Sequence, residues 1–592
     1  MSLNKNKIAS EVVNVFYACD EEFVNYAIVS IKSLIMNRST NRRYEIHLLN
    51  TGISYKSQED LKSLVEDGVD IEIVDVNLLA NKLGDKLPIR DYYSKSTYYR
   101  LFIATLYPNL NKALYVDSDT VILGDVSQLY DTNLDNYYIG ACHEEVMLQT
   151  DVYGNYVEKA LGIDRNNYFN AGVILINCKA FRDNKILEKF YDLSKQFAFV
   201  ITQDQDYLNV LAKDKVLFLD SAWNVEVYNE IKVKREQMKI VHYVMASKPW
   251  LYDDCALKEI FWEYASNTKV LDSIKNTLKN YKEEQKENDR ACALRLMQTA
   301  KEESERIDSY KNASEGKSLE RLKVLERVRK LEKQGAFDVD ADENPKTIVL
   351  EPNKVDYLNK KMSSRIGTKI ANVVATSYYE KEIKKGNFII KEIKGIENYL
   401  SVEGGLIITC NHFSVYDNYA VWRAIRPYFK KGKRLYKVIR EGNYTSFKGL
   451  YGYFFRHCNT LPLSSNSQTM KKFLTAIKTL LNRGEKILIY PEQALWWNYK
   501  KPRPLKIGAF KLASKNNVPV LPCFITMEES NKTDANGFDI PKYTVWFLPA
   551  IYPKENLGVK ENAEYMKEEN YRAWKELYEK VYGTPLSYGE NV

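Results

Sequence analysis

At 592 residues the chain is too long for one hydrophobic core, so two or three domains are expected. With 45% hydrophobic and 28% charged residues it has the composition of a folded globular protein, which excludes a disordered or fibrous chain. The net charge of +8 is unevenly spread: residues 346–592 hold 40 Lys+Arg against 23 Asp+Glu, a net of +17, leaving residues 1–345 at −9. A strongly basic half predicts an anionic partner (membrane headgroups, an acidic carrier protein or nucleic acid), unless its lysines only solvate the surface. The eight cysteines are scattered singly, with no CxxC pair, and read as buried reduced thiols rather than disulfides or a zinc site. Met1 to Lys7 is polar, without the apolar core of a signal peptide, and no run of about 18 uninterrupted apolar residues marks a spanning helix. The expected location is cytoplasmic, with any lipid chemistry done from the membrane surface.

In chain order, Val12 to Ala18 is strand-like, Tyr26 to Met36 has helical periodicity, and Tyr44 to Leu49, Ile71 to Val76 and Ala113 to Val116 are further strand-like runs. This alternation predicts a parallel sheet covered by helices over residues 1–265. Ligands in such folds sit at the carboxyl ends of strands. Asp20 and Asp117 follow strand-like runs and belong on that rim. From 266 to 345 Lys and Glu dominate, and Leu319, Leu322, Leu325, Val328 and Leu331 recur at helical spacing before Gly335, a helix stop, and the acidic stretch Asp338 to Pro345. A charged helical linker is predicted there. From 346 to 592 α/β character returns: Asp356 to Glu382 reads as an amphipathic helix, and Gly405 to Cys410, Lys486 to Tyr490 and Val518 to Ile525 as strands. The fold class is therefore α/β, with two α/β domains joined by a helical linker.

Asp117-Ser118-Asp119 stands between the apolar runs Ala113 to Val116 and Thr120 to Leu123. Two Asp at i and i+2 on an extended segment project the same way and suit one Mn²⁺ or Mg²⁺ bridging to phosphates. A charged pair between apolar runs is costly unless a counter-ion compensates it. With Val15 to Asp20, Tyr98-Tyr99-Arg100-Leu101, Phe169-Asn170-Ala171-Gly172-Val173, Asp204-Gln205-Asp206-Tyr207-Leu208-Asn209, Val241-His242-Tyr243 and Lys248-Pro249-Trp250, the segment resembles family 8 of the glycosyltransferases. That resemblance, over about Val12 to Trp250, implies a single-domain A-type (Rossmann-like) fold and retaining transfer from a nucleotide sugar, here a UDP-sugar. It implies Asp117, Asp119 and His242 as metal ligands. Asp20 would meet the base, Arg100 the nucleotide-sugar, Asn170 and Asp204 the sugar, and Lys248 the phosphate. Gln205 would stabilise the oxocarbenium ion. Glu22, where many members carry Asn, is a departure beside the base.

Downstream, His412 and Asp417 are separated by four residues within Asn411-His412-Phe413-Ser414-Val415-Tyr416-Asp417. A turn between them lets the carboxylate orient the imidazole as a general base toward a substrate hydroxyl. With Ile489-Tyr490-Pro491-Glu492 and Val518 to Pro522, residues Asn387 to Thr526 resemble the glycerolphosphate acyltransferases. The resemblance implies acyl transfer from acyl-CoA or acyl carrier protein, with Glu492 near the acceptor. Gln493 to Trp496 and Ser464-Ser465 stand where that family keeps acceptor-phosphate residues, leaving Lys500, Lys501, Arg503 and Lys506 as substitutes, or a non-phosphate acceptor. Trp422 to Lys437 mixes aromatic and basic residues as an interfacial surface does. No nucleic-acid module is visible. The reading is a bifunctional enzyme on the inner face of the membrane, acting on a lipid or glycan acceptor in bacterial envelope biosynthesis. Its alternative is a live glycosyltransferase whose degenerate acyltransferase domain is a lipid tether.

Overall fold

The structure, a computed structural model, describes residues 12–83 and 95–589; the polar Met1 to Lys7 lies outside them. Two compact units divide at residues 311 and 312, and both are α/β.

The first unit is built on a seven-stranded sheet in the order Val69–Asp75, Tyr44–Asn50, Val13–Ala18, Lys112–Val116, Phe169–Asn177, Ile139–His143, Val216–Phe218. Val13–Ala18 is buried along its whole length, as a central strand covered on both faces must be. The sheet is mixed rather than parallel: Phe169–Asn177 runs antiparallel to both its neighbours. It pairs Val173 with Val116, which brings its beginning beside the end of Lys112–Val116. A second sheet of Thr120–Ile122, Ile240–His242 and Val225–Glu226 sets His242 opposite Thr120, one residue past Asp119.

The second unit also has a seven-stranded sheet, ordered Ile389–Lys394, Lys542–Phe547, Val520–Glu528, Leu406–Thr409, Lys486–Ile489, Leu435–Ile439, Thr460–Pro462. Among the described strands of this sheet, the one antiparallel pair is Val520–Glu528 with Lys542–Phe547. Leu406–Thr409 and Lys486–Ile489 lie parallel and in register at the centre, so the residues that follow each of them share one rim.

The stretch 266–345 does not stand apart from the two units. Helix Glu283–Ser304 buries Leu296 and Ala300 in the core of the first. Helix Leu319–Lys333 buries Val324, Val328 and Leu331 against Ala494 and Trp496 in the second. Its apolar stripe is thus covered within the chain. All eight cysteines are buried and free. No helix among the described residues is long and apolar enough to cross a membrane.

Candidate functional site

In the first unit the strand register gathers the acidic pair and the histidine. Asp117 N–H donates to the Gly172 carbonyl at 2.7 Å, continuing the ladder one step beyond the strand. His242 Nε2 lies 3.2 Å from Asp119 Oδ1 and 3.9 Å from Asp117 Oδ2. One ligand atom from each of the three falls within 4.8 Å of the others. A Cβ at Gly172 would strike the His242 ring and come 2.8 Å from Asp117 Oδ2, so only glycine leaves room for this convergence.

The histidine tautomer follows from a chain of hydrogen bonds. Glu144 Oε2 accepts Asn170 Nδ2–H at 2.8 Å, which turns Asn170 Oδ1 toward the Gly172 N–H. Asn170 Oδ1 also receives Asn224 Nδ2–H at 2.9 Å, so Asn224 presents its oxygen to His242 Nδ1 at 3.0 Å. His242 therefore donates from Nδ1 to Asn224 and turns Nε2 to the side where Asp117 and Asp119 stand. Two carboxylates and an imidazole nitrogen form a hard-to-borderline donor set that fits a divalent cation. Mn²⁺ and Mg²⁺ both suit it.

The remaining charges are arranged around that set. Lys248 Nζ donates to Asp119 Oδ2 at 2.5 Å. Lys248 and His242 hold Asp119 well below the usual carboxylate range, against the opposing effect of burial. Burial raises Asp117, which shares Arg100 with Asp204: Arg100 Nη2 lies 3.1 Å from Asp117 Oδ1 and Nε 3.0 Å from Asp204 Oδ2. Burial also pushes Asp204 up to about 6. Gln205 accepts from Ala171 N–H at 2.8 Å and donates to Glu144 Oε2 at 2.7 Å, so both ends of its amide are fixed. Arg100, Asp117, Asp119, Asn170, Asp204, Gln205, His242 and Lys248 all line one cleft. Asp20 is the exception: the cleft touches Ala18 and Phe23, while the Asp20 carboxylate caps its own turn through Glu22 N–H at 3.1 Å and Phe23 N–H at 3.2 Å. Glu144 and Asn224 were not singled out from the sequence. Glu144 could have been, since it directly follows the strand Ile139–His143.

In the second unit His412 follows Leu406–Thr409, and Asp417 opens helix Asp417–Ile425. The imidazole Nδ1 is 2.7 Å from Asp417 Oδ2, which also accepts the Phe413 and Ser414 N–H groups at 3.3 Å. Tyr490 OH donates to Asp417 Oδ1 at 2.7 Å, and its ring stacks on His412 at 4.0 Å. Asp417 is fully buried, and its Oδ2, already accepting two backbone N–H groups, faces His412 Nδ1 as an acceptor, which places the ring proton on Nδ1 and leaves Nε2 as the other nitrogen. His412 lines a cavity of about 970 Å³, walled largely by aromatic and aliphatic side chains.

Glu492 does not line that cavity. It is 2% exposed and paired with Arg503 Nη2 at 2.8 Å, while its Oε2 accepts the His412 N–H at 3.0 Å. Arg503 Nη2 in turn donates to the His412 carbonyl at 3.1 Å. The pair clamps the His412 peptide from behind, and removing either partner alone would cost about 3–5 kcal/mol. The other candidate substitutes are also engaged: Lys501 with Glu332 at 2.7 Å and Lys506 with Asp338 at 2.8 Å, while Lys500 lies over the Tyr582 ring. Ser464 and Ser465 both donate to Glu441, at 2.6 and 2.9 Å, which closes the position where the sequence resemblance places a phosphate contact.

Comparison with known proteins divides the chain in the same way. Residues 14–254 match the family model Glycosyl transferase family 8, and residues 391–526 match the model Acyltransferase. The lipopolysaccharide 1,2-glucosyltransferase of Escherichia coli strain K12 is 29% identical over 258 residues, which cover 41% of this chain and 73% of that protein. A putative glycosyltransferase of Haemophilus influenzae is 26% identical over 249 residues, 41% of this chain and 74% of that one. Among solved structures, the galactosyltransferase LgtC in complex with donor and acceptor sugar analogs matches at 25% identity and a TM-score of 0.36, over 43% of this chain and 96% of that one.

Proposed function

On the premise that the chain unites a family 8 glycosyltransferase domain with an acyltransferase domain, and is a transferase on both counts, we propose a bifunctional enzyme of bacterial envelope glycolipid or polysaccharide synthesis. The first domain transfers a hexose from a UDP-sugar with retention; the second moves an acyl group from acyl-CoA or acyl carrier protein to a hydroxyl of a lipid or glycan acceptor. The observation that carries this reading is that each compact unit gathers its own set of reactive side chains in its own cavity: Asp117, Asp119 and His242 in the first, and His412 with Asp417 behind it in the second.

In the first domain Asp117, Asp119 and His242 would hold Mn²⁺ or Mg²⁺, which when bound supplies charge neutralisation to a departing diphosphate. Lys248 adds a cation at the same place, and Arg100 holds Asp117 and Asp204 in position. Asn170, Asp204 and Gln205 form the sugar wall. Gln205, fixed at both ends of its amide, presents a preorganised dipole to a developing oxocarbenium ion. Asp20 is assigned to the shape of the rim rather than to a base contact.

In the second domain His412 Nε2 takes the proton of the acceptor hydroxyl as its oxygen bonds to the thioester carbonyl carbon. The C–S bond then breaks and the imidazolium returns the proton to the thiolate. Asp417 stabilises the imidazolium between these steps. Glu492 acts with Arg503 as a positioning pair for the His412 peptide, not as a contact to the acceptor.

The assay is a panel of nucleotide sugars incubated with the full chain and Mn²⁺, alongside acyl-CoA and an envelope lipid extract. Release of nucleoside diphosphate names the sugar donor, and release of free thiol identifies acyl transfer. If no sugar donor is consumed, the first assignment fails. If no thiol appears, the lipid-tether alternative takes the place of the second.

Attachment to the inner face of the membrane is supported by an exposed apolar stripe on helix Met362–Lys385, formed by Met362, Ile366, Ile370 and Val373 and flanked by Arg365 and Lys369. Such a face suits the boundary between anionic headgroups and acyl chains. The chain is expected to bind anionic vesicles, and to release them steeply with salt because surface attraction is screened beyond about 10 Å at 0.1 M. Sedimentation with anionic and neutral vesicles tests this; equal binding to both would leave the +17 charge as a solvated surface.

A further inference from the structure

The cavity that His412 lines is charged but balanced. Its cations are Arg321, Lys437, Arg440 and Lys506, and its acids are Glu320, Asp340, Asp342 and Glu343. Three of the acids belong to the stretch that the sequence presents as an acidic linker. That stretch is fixed against the acyltransferase unit: Arg503 Nη1 donates to the Phe337 carbonyl at 3.1 Å, Trp496 Nε1 donates to the Val339 carbonyl at 2.8 Å, and Ala341 is buried. Held there, Asp338 pairs with Lys506 at 2.8 Å, Asp340 with Arg440, and Asp342 with Arg321 at 3.2 Å. Lys437 donates to the amide oxygen of Asn418 at 3.5 Å.

This arrangement disfavours an anionic ligand. To reach Arg440 or Lys506, a phosphate must displace a carboxylate, which then stands unpaired in the enclosure, and that is costly. Glu320 and Glu343 oppose it further as like charges. Glu441, which accepts from Ser464 and Ser465, closes another place where an anion could sit. What the cavity offers instead is neutral hydrogen-bonding groups: the amides of Asn344, Asn372, Asn418, Asn443, Asn459 and Gln493. Asn459 donates to Asn372 Oδ1 at 3.4 Å, and its own buried Oδ1 meets no donor among the described residues. A hydroxyl can donate to such an oxygen, and a carboxylate or a phosphate dianion cannot. The remaining wall is apolar, with Trp422, Phe454, Phe455 and Phe473.

We propose that the acceptor taken beside His412 is an uncharged, hydroxyl-bearing head on an apolar chain, a glycoside or a glyceride without phosphate. This rests on the acyl-transfer reading and narrows it to one class of acceptor. The acidic stretch is then a specificity element, because its carboxylates occupy the cations that an anionic acceptor would need. Like charges brought together in an enclosed site weaken binding by about 10-fold or more, and removing the carboxylates relieves that penalty.

The test reads occupancy of this cavity on the full chain. The His412 side chain keeps 21% of its surface exposed, so diethyl pyrocarbonate can reach it, and mass spectrometry of the peptide that holds it measures protection by a probe. The probes are 1-dodecylglycerol, dodecyl glucoside and 1-dodecylglycerol 3-phosphate, the first and last differing only in the phosphate. The two neutral probes are expected to protect at concentrations ~10-fold or more below that of the phosphate. Asp340→Asn with Asp342→Asn, which frees Arg440 and Arg321, should shrink that gap by about 10-fold. Glu343→Gln, which breaks no ion pair among the described residues, should shrink it by about 3-fold and decides the matter if thermal melting shows the double variant to be unfolded. Protection by the phosphate at an equal or lower concentration than by the neutral probes, a gap unchanged in the folded variants, or no protection by any probe overturns the proposal. Protection needs no turnover: if no acceptor releases thiol from acyl-CoA, the acyl-transfer reading fails while the preference of the cavity is still measured.

Discussion

Asp119→Ala is expected to lower sugar-donor turnover at least ~100-fold, the scale set by removing one preorganised charge stabiliser. Excess chelator should bring the wild type to a similar floor, with activity restored by Mn²⁺ or Mg²⁺. Asp119 is the more informative of the two carboxylates. Its partners are His242 at 3.2 Å and Lys248 at 2.5 Å, both on the proposed metal and phosphate side of the cleft. Asp117, in contrast, also receives Tyr115 OH at 2.7 Å and Arg100 Nη2 at 3.1 Å, so its loss would disturb a buried scaffold as well as the metal set. The measurement is release of nucleoside diphosphate from a UDP-sugar across a metal titration. Full activity with the chelator in excess would remove the metal from the mechanism.

His412→Ala should reduce acyl transfer by about 10²- to 10⁴-fold, the usual share of a positioned general base. It should leave sugar-donor turnover unchanged, because the two constellations belong to separate cores. Asp417→Asn should have a smaller effect. The buried carboxylate offers one oxygen to the imidazole and the other to Tyr490 OH. An amide has one oxygen and one NH₂, so one of those partners loses its acceptor, and no negative charge remains to stabilise the imidazolium. Thiol release from acyl-CoA, followed with envelope lipid extract present, reads both variants. Equal release by wild type and His412→Ala would mean that this histidine is not the base.

The parts of these sites that could be read from sequence are those fixed by local spacing. Asp117 and Asp119 at i and i+2, and His412 and Asp417 across a short turn, meet because the intervening backbone leaves them little choice. The direction of a fully buried strand has no such signature. Phe169 to Asn177 is apolar on both faces and reads alike in either orientation, so its antiparallel course was visible only in the structure. Glu492 illustrates a second limit. The motif identified the residue, but the side chain turns away from the cavity because its partner Arg503 lies eleven residues further on, in a segment with no periodic signal. The stripe on Leu319–Lys333 is a third case: periodicity revealed an apolar face but not that Ala494 and Trp496 would cover it.

The hydrogen bonds that run from Gln205 and Asn170 through Glu144 and Asn224 to His242 have a direction. Each amide in the series can point only one way once Glu144 accepts at its head. The wall assigned to the sugar and the nitrogen assigned to the metal are thus two readouts of one orientation. A side-chain flip at either end would have to be matched along the whole series or leave a buried donor facing a donor. On the proposed assignment, sugar recognition and metal affinity in this cleft would not be separately adjustable: a change in the wall that alters which hexose fits would be felt at His242, and by reciprocity a change of metal would be felt by the sugar.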